Sequence, residues 1–210
     1  MTGADLQATV ELDGTDRYFI GSNVSGFSAY ENLIGGNQVD TFIFSGNRTY
    51  IINGGSGYDI FRFTDGSSLT GTLDGSTGSD LLDLTLFTTS RIVNLLSTST
   101  DGFAGNVTDT VPTGFSNIDR VYGSTTATND QLFGLNVDAT WDLNGVNSQY
   151  LVGTNSIGFL YFDRLQGGQY ADTFILHGAE TGLLFGNAGD DIYRLMDGAS
   201  LNGTIMGGGG

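Results

Sequence analysis

The sequence predicts an all-β fold, a right-handed parallel β-solenoid (β-helix) built from coils of roughly 19–21 residues. Short runs of Phe, Tyr, Ile, Val, Thr and Leu alternate with Gly, Asn, Asp and Ser, and no window keeps a helical period. There are 34 glycines and a single proline, as expected for many tight turns. A Gly-rich turn, an aspartate and an apolar strand recur at Asp40, Asp59 and Asp80, at intervals of 19 and 21 residues. The hydrophobic fraction of 39% is enough to fill the core of such a stack.

The strands are predicted wherever an apolar run lies between turn residues. Residues 8–34 contain three such runs and residues 41–96 contain six, each bounded by Gly, Asn, Asp or Ser. The next stretch, 97–116, is polar, rich in small residues and contains Pro112, so we predict a loop excursion from the stack. Strand runs resume in residues 117–166 and lead into a second copy of the opening pattern.

An internal repeat is the strongest signal in the sequence. A Gly-Gly pair at positions 35 and 36 recurs 132 residues later, and the same offset makes residues 18–75 match residues 150–207. Somewhat under half of these aligned positions are identical. We therefore predict a single β-solenoid segment over residues 1–210, with about one and a half copies of a 132-residue repeat. Both termini fall inside a repeat unit, and we expect the chain to be a segment of a longer array.

Charge and composition exclude several classes of function. The formal net charge is −16, with 23 acidic residues against 7 Lys and Arg, so the surface repels nucleic acid and anionic membranes and attracts divalent cations. The chain has no cysteine, which excludes disulfides, thiolate zinc sites and thiol catalysis. No apolar run approaches the ~20 residues of a membrane span, and the first residues lack the features of a signal peptide. We expect no nucleic-acid partner, no membrane insertion, and an export signal outside this chain.

One nonapeptide suggests calcium binding. Residues 54–62, GGSGYDIFR, fit the G-G-x-G-x-D-x-U-x pattern that binds calcium in β-rolls of the RTX type, and residues 75–83 and 186–194 fit with one glycine replaced. RTX nonapeptides follow one another without a break, whereas these recur at coil-length intervals. The sequence therefore resembles RTX repeats in part, and calcium is the one cofactor that it suggests. The candidate metal ligands are Asp40, Asp59, Asp80, Asp172 and Asp191.

Stacked coils would bring these aspartates into columns of like charge. At a coil spacing of about 4.8 Å, each neighbouring pair repels by roughly 1 kcal/mol even in water. Calcium ions that bridge the carboxylates would relieve the repulsion. The alternative, which we favour, is an Asx-turn in which each carboxylate accepts N–H groups of its own turn while the column is staggered.

Several short motifs stand out together. They are FSNIDRVYG with its looser relatives YENLIGG and YFDRLQGG, the tetrapeptide DTFI, the GGxGxD turn, and an LDL strand that leads to IVNLL. This combination resembles the β-strand repeats of very large bacterial surface and secreted proteins, the adhesin and haemagglutinin-like group, over nearly the whole chain. The resemblance implies a parallel β-solenoid used as a stalk or adhesive rod on, or released from, a bacterial cell. It carries over no binding residues.

The sequence offers little for catalysis, and we expect no enzyme activity. The single histidine, His177, corresponds to Ser45 in the other copy, so the repeat does not require an imidazole there. Arg62 is followed by Asp65, and we predict a solvated ion pair between them on the face of the rod. We predict that Trp141 lies in the core with its N–H on a turn carbonyl.

These features favour a structural function, as a rod or stalk segment of a large exported bacterial protein, an adhesin or a surface filament. The expected location is secreted or at the bacterial cell surface. The expected partners are further copies of the chain, added end to end in a filament, or a glycan or other cell-surface ligand. Two alternatives stay open, a calcium-dependent RTX-like module of a secreted protein and a carbohydrate-binding or carbohydrate-active β-helix. A carboxylate cluster in a groove would support the second alternative.

Overall fold

Two long sheets of mainly parallel strands share one core in the computed structural model, which describes all residues 1–210. One sheet has 12 strands, the other has 10, and two ladders of two strands each lie beside them. The all-β parallel solenoid predicted from the sequence is confirmed. The only helical element is a 3-10 turn, Gly145–Asn147. The fold contains no helix with the length and apolar character that crossing a membrane requires.

The strands are numbered in chain order, and their bounds are as follows. They are β1 (Ala8–Leu12), β2 (Arg17–Ile20), β3 (Asn23–Gly26), β4 (Asn32–Ile34), β5 (Asp40–Phe44), β6 (Asn47–Arg48), β7 (Ile51–Asn53), β8 (Ser56–Gly57), β9 (Ile60–Phe63), β10 (Ser68–Leu69), β11 (Leu73–Asp74), β12 (Thr77–Gly78), β13 (Leu81–Asp83), β14 (Ile92–Thr98), β15 (Phe103–Val107), β16 (Val111–Ile118), β17 (Arg120–Tyr122), β18 (Gln131–Phe133), β19 (Ala139–Leu143), β20 (Gln149–Val152), β21 (Asn155–Leu160), β22 (Arg164–Gln166), β23 (Asp172–Leu176), β24 (Ala179–Phe185), β25 (Ile192–Leu195) and β26 (Ser200–Met206).

The order of the strands shows how the coils stack. The 12-stranded sheet runs β25-β23-β19-β20-β21-β17-β13-β9-β5-β1-β2-β3, and the 10-stranded sheet runs β26-β24-β22-β18-β14-β15-β16-β11-β7-β4. The C-terminal strands β25 and β26 therefore lie at one end of the stack. The hairpin β2–β3 and strand β4 lie at the other.

Regular coils have the predicted length. Strands β5, β9 and β13 are parallel neighbours, with Phe42 opposite Phe61 and Phe61 opposite Leu82, intervals of 19 and 21 residues. The rings of Phe42 and Phe61 stack with their centroids 5.4 Å apart. In the second copy, Phe174 and Tyr193 stack in the same way at 5.0 Å. The same aromatic contact between two neighbouring coils is thus present in both repeat copies.

Longer coils contain antiparallel insertions that stay within the sheets. The hairpin β2–β3 follows β1, and the hairpin β20–β21 lies between β19 and β17. In the other sheet, β14, β15 and β16 form an antiparallel meander. The inserted strands extend the existing ladders by antiparallel pairing, so a coil can be lengthened without breaking the stack.

Residues 97–116 do not leave the stack, contrary to the predicted loop excursion. They belong mostly to β15 and β16, and β16 continues the sheet by pairing in parallel with β11. Strand β15 buries every second residue, a period of two that its small residues make hard to see in the sequence. Four apolar side chains of this stretch join the core, namely Phe103, Val107, Val111 and Phe115.

A continuous core of buried apolar residues connects the two sheets along the stack. Trp141 lies in it as predicted, fully buried and stacked on Phe174 with the ring centroids 5.6 Å apart. Its N–H does not reach a turn carbonyl. The Nε1 atom has no hydrogen-bond partner, and the nearby acceptor is the carboxylate of Asp172.

Candidate functional site: the aspartate ladders and the ends of the stack

The predicted aspartates lie at the corner where each turn enters a strand of the 12-stranded sheet. Asp40 and Asp172 are the first residues of β5 and β23, and Asp59 and Asp80 come directly before β9 and β13. The side chains of these four aspartates are at most 1% exposed, whereas Asp191, in the last coil, is partly exposed. The structure thus buries carboxylates that the turn pattern alone would leave in solvent.

The carboxylates form hydrogen-bonded ladders from coil to coil. The backbone N–H of Asp40 donates to Oδ1 of Asp59, and that of Asp59 donates to Oδ1 of Asp80, both at 2.8 Å. The N–H of Asp80 in turn donates to Oδ2 of Asp119 at 2.8 Å. We call Asp40, Asp59, Asp80 and Asp119 the first ladder. Each carboxylate therefore accepts a hydrogen bond from a backbone N–H of the coil before its own. Sequence reasoning did not identify these donors.

A second, shorter ladder occupies the corresponding corner of the other repeat copy. The N–H of Asp172 donates to Oδ1 of Asp191 at 3.0 Å. Own-turn bonds are present at two of the five aspartates, where Gly36 N–H donates to Asp40 at 2.6 Å and Gly168 N–H donates to Asp172 at 2.8 Å. These donors lie four residues before the aspartate, so the bonds are not the predicted Asx-turns. Most of the partners lie in the neighbouring coil.

A glycine five residues before each aspartate makes room for its carboxylate. A Cβ atom on Gly35 would lie 2.6 Å from Oδ2 of Asp40, and one on Gly75 would lie 2.6 Å from Oδ2 of Asp80. No real side chain tolerates such an approach. The backbone of the neighbouring coil is closer still, because the Gly54 carbonyl oxygen would lie 1.9 Å from a Cβ atom on Gly35 and the Asn117 carbonyl oxygen 2.0 Å from one on Gly75. The glycine of the Gly-x4-Asp spacing is therefore a steric requirement of both the carboxylate and the coil stacking. The pairs are Gly35 and Asp40, Gly54 and Asp59, Gly75 and Asp80, Gly167 and Asp172, and Gly186 and Asp191.

Burial raises the pKa values of the ladder carboxyls. Desolvation is the largest cause, and it raises the pKa of Asp59 to about 8, that of Asp80 to about 7 and that of Asp172 to about 6. Neighbouring aspartates raise these pKa values further. The hydrogen bonds from backbone N–H groups act in the opposite direction. One oxygen of Asp59, Asp80, Asp172 and Asp191 is buried without a partner.

The ladders do not offer calcium its usual ligand set. Calcium takes six to eight oxygen ligands, but nowhere in the structure do three or more Asp, Glu, His or Cys side chains converge on one point. One oxygen of each of Asp59, Asp80 and Asp191 is already committed to a backbone N–H of the coil before it. This geometry favours the backbone role of the five predicted aspartates over calcium bridging.

Two other residues singled out by the sequence pair across coils. Nε2 of His177 lies 2.8 Å from Oδ1 of Asp142. The predicted ion pair of Arg62 with Asp65 is wrong. Nε of Arg62 instead lies 2.7 Å from Oδ2 of Asp83, a buried carboxylate on the next strand of the sheet.

Three further aspartates, which sequence reasoning missed, take part in the same kind of coil-to-coil hydrogen bond. Besides Asp119, the carboxylate of Asp163 accepts the N–H of Asp130 at 2.9 Å, at the corner that leads into the 10-stranded sheet. Antiparallel insertions place these residues 33 to 39 positions apart, which hides the coil period. A local signal was available, because Asp119, Asp130 and Asp163 are each followed after one residue by Val or Leu, as the other ladder aspartates are followed by an apolar residue.

Two adjacent clefts, each of about 350 Å³, open beside the inserted hairpin β20–β21. They share Ser148, Phe159 and Leu160. The side chains that give the clefts their polar and aromatic character are Asp119, Arg120, Tyr122, Gln149, Tyr161, Asp163 and Glu180.

Both ends of the stack present unpaired strands. Strand β3 is the last of the 12-stranded sheet on one side, and β25 and β26 are the last strands on the other. Large apolar side chains are exposed at both ends, among them Val24 at 55% and Leu195 at 51%. Unpaired edges of this kind are ready templates for a further strand.

Comparison with known proteins does not assign the chain to a class: no family model, no curated protein and no solved structure matches it.

Proposed function

We propose that this chain is a structural rod, a stalk or filament segment of a large exported bacterial protein of the adhesin type. The observation that carries the proposal is the unbroken stacking of coils in two sheets of 12 and 10 strands. Each coil hydrogen-bonds to its neighbours, and a shared apolar core continues through them. The secreted or cell-surface location is supported by the acidic, cysteine-free composition and by the resemblance to surface-protein repeats.

Such a rod functions by holding its two ends at a fixed distance and by resisting bending. Twelve strands at about 4.8 Å give a length of roughly 50 Å along the stack. Bending the rod would open ladder hydrogen bonds on one side and separate stacked rings in the core. The buried carboxylates add bonds along the corner of the first ladder, so neighbouring coils are joined by side chains as well as by the backbone.

The distance between the two ends tests the rod directly. Since the chain has no cysteine, Ser22→Cys and Asp197→Cys place one dye on the exposed turn at each end. We expect single-molecule energy transfer to report one narrow distance, of roughly 50 Å, that does not change with ionic strength. A broad distribution, or a distance that shortens with salt, would contradict a stiff spacer.

A second candidate function, glycan binding, is favoured by the two adjacent clefts. The rings of Tyr122 and Tyr161 meet edge to face, with their centroids 6.1 Å apart. Aromatic rings beside carboxylate, amide and guanidinium groups, such as Asp163, Gln149 and Arg120, suit a sugar ligand. Here the rod would also carry an adhesive site.

A pair of tyrosine variants tests glycan binding. Tyr161→Ala removes an aromatic ring of the cleft, and Tyr170→Ala removes a similarly exposed ring that does not line it. If the cleft binds glycans, a panel of bacterial and host oligosaccharides should contain a ligand for the unchanged chain. Binding of that ligand should be lost in Tyr161→Ala and kept in Tyr170→Ala. A panel without any ligand, or equal loss with both variants, would remove this candidate.

A further inference from the structure

The two copies of the 132-residue repeat differ at one corner of the stack. Position 50 holds a tyrosine in the first copy, and the corresponding residue of the second copy is Gly182. The backbone around the two positions is packed alike, since a Cβ atom on Gly71 would lie 1.6 Å from the Tyr50 carbonyl oxygen and one on Gly203 would lie 1.7 Å from that of Gly182. The second copy therefore keeps the chain path of the first and lacks one large side chain.

Tyr50 crosses this corner in the first copy. Its ring packs against the core, and its hydroxyl donates a hydrogen bond to the carboxylate of Asp16. The counterpart of Asp16 is Ser148, because the Asp16 carbonyl accepts the N–H of Phe27 and the Ser148 carbonyl accepts that of Phe159, both at 3.0 Å. In the second copy, a ring in the same place would span the distance from position 182 to Ser148.

One of the two clefts described above occupies that space. We call it the corner cleft, and both Gly182 and Ser148 line it. Its volume of about 350 Å³ is in the usual range for small-molecule sites. Its floor consists of residues of the apolar core, namely Leu143, Phe159, Leu165 and Leu184. The cleft is thus an opening into the core at the place that a tyrosine closes in the first copy.

The backbone keeps the corner cleft open. Gly182 has a φ of 129°, a conformation that favours glycine, and a Cβ atom there would lie 2.7 Å from the Asp163 carbonyl oxygen. The strand that carries Gly182, β24, lies between β22 and β26 in its sheet. The cleft therefore lies within the stack, and a side chain at position 182 would be strained.

A carboxylate remains at the corner cleft. Glu180, the counterpart of Arg48, lines the cleft, and its Oε1 accepts the N–H of Gly145 at 3.1 Å. Within the chain this is the only hydrogen bond of the Glu180 carboxylate. Its other oxygen can accept a hydrogen bond from a hydroxyl group, as the carboxylate of Asp16 does from Tyr50.

We propose that the corner cleft binds a phenolic ring from outside the chain, in the space that Tyr50 fills in the first copy, with the hydroxyl donating to Glu180. The source is a free phenol or the tyrosyl side chain of a partner protein. An apolar cavity left by missing side-chain atoms binds an aromatic ring of matching size. The inference goes beyond the rod function and does not depend on it.

The floor of the corner cleft favours a phenolic ring over a sugar. The hydroxyl groups of a sugar would lose water there without finding partners among leucine and phenylalanine side chains. The glycan candidate rests instead on Tyr161, which is 51% exposed beside the cleft. The two ligands therefore occupy different parts of this surface.

Methyl NMR of the whole chain with p-cresol, which is the tyrosine side chain as a free molecule, tests the proposal. Ring currents of the bound ring should shift the methyl signals of Leu184 and Leu201, which line the corner cleft. The signals of their first-copy counterparts, Ile52 and Leu69, should stay in place, because Tyr50 fills the corresponding corner.

A substitution of Glu180 tests the hydroxyl contact. Glu180→Gln keeps an oxygen for the Gly145 N–H and removes the charge. It should weaken p-cresol binding by roughly three- to tenfold and leave the binding of toluene, the same ring without the hydroxyl, unchanged. An equal effect on both ligands would overturn the assignment of Glu180 as the acceptor.

Removing Tyr50 should create the same site in the first copy. Tyr50→Ala opens the matching corner, so we expect this variant to bind two equivalents of p-cresol instead of one, with shifts at Ile52 and Leu69 as well. Tyr170→Ala is the control, because it removes a ring that is 56% exposed and does not line the cleft, and it should bind one equivalent. Circular dichroism confirms folding of each variant, and the measurement on the unchanged chain does not depend on them.

A tyrosine derivative separates the two sources of the ring. Binding of N-acetyltyrosine amide as well as p-cresol identifies a tyrosyl side chain, whereas binding of p-cresol alone identifies a free phenol. Three further outcomes would overturn the proposal. They are p-cresol at millimolar concentration leaving the signals of Leu184 and Leu201 unshifted, equal shifts in both copies of the unchanged chain, and methyl glucoside shifting these signals where p-cresol does not.

Discussion

At the scale of single residues, glycine and aspartate are coupled by one contact that explains the sequence motif. The aspartate needs the glycine because its carboxylate fills the space of a Cβ atom, and the coil needs the aspartate to accept the N–H of the preceding coil. The sequence predicted the positions of five ladder aspartates. The sequence did not predict the N–H groups that donate to these aspartates. Which coil supplies each N–H depends on the register in which the coils stack.

The ladder should make the rod more stable in mild acid. Asp59 has a pKa of about 8 in the folded chain and an ordinary value of 3.8 when exposed, so the folded state holds the proton between these values. Its stabilising effect is complete below about pH 4 and is lost as pH increases through about 8. We expect Tm to fall by roughly 5–10 °C between pH 5 and pH 9, measured by thermal unfolding.

Substitutions at Asp59 separate its charge from its hydrogen bond. Asp59→Asn keeps an acceptor for the Asp40 N–H but does not titrate, so its Tm should exceed that of the unchanged chain at pH 9 and depend less on pH. Asp59→Ala leaves the N–H unpaired and should cost about 1–3 kcal/mol at pH 5. This cost should shrink toward pH 9, because the Ala variant also lacks the carboxyl whose ionisation destabilises the unchanged chain. An Asn variant with an unchanged pH profile would show that Asp59 does not carry the effect.

The steric reading of the motif predicts a second residue-scale result. Gly54→Ala places a methyl group against the carboxylate of Asp59 and 2.7 Å from the Gly75 carbonyl oxygen, which should cost about 1–3 kcal/mol in chemical denaturation. Gly178→Ala is the matched control, because a Cβ atom there meets nothing within 4 Å. Equal unfolding midpoints for the two variants would refute the steric requirement.

At the scale of elements, the regular coils were predictable and the insertions were not. Runs such as DTFI and DIFRF mark strands because turn residues bound them and the 19- and 21-residue intervals repeat. Strands β15 and β16 were not predicted, because their buried positions hold only a few apolar residues among Gly, Asn and Thr. Their place also depends on antiparallel pairing with β14, a contact that no local pattern specifies.

A substitution in β15 tests whether the meander belongs to the core. Val107 is fully buried, so Val107→Ala should lower the free energy of unfolding by about 2 kcal/mol. Thr108→Ala, at the exposed neighbouring position, should change it by less than about 0.5 kcal/mol. If the stretch were a free loop, both variants would unfold at the same denaturant concentration as the unchanged chain.

At the scale of the whole molecule, the stack should hold without calcium. Bound calcium would raise Tm through mass action, but the ladder carboxylates already accept backbone N–H groups and no cluster of three ligand side chains exists. We expect the same thermal midpoint in chelator and in millimolar calcium. A midpoint that increases with calcium concentration would restore the RTX-like alternative.

Both sheets and the core continue from end to end, which is why the molecule is better described by its stacking than by a binding site. The sequence showed this continuity through its 132-residue offset, and the structure adds which edges are left unpaired. A rod of this kind transmits force along its axis through many coil-to-coil ladders in series.

Pulling on a single chain held at its two termini tests the central claim, that the chain is a stiff spacer. The end-to-end length should stay constant up to a threshold force and then increase in steps of roughly 60–70 Å, the extended length of one regular coil. Gradual lengthening from the lowest forces, without a plateau or steps, would contradict the rod.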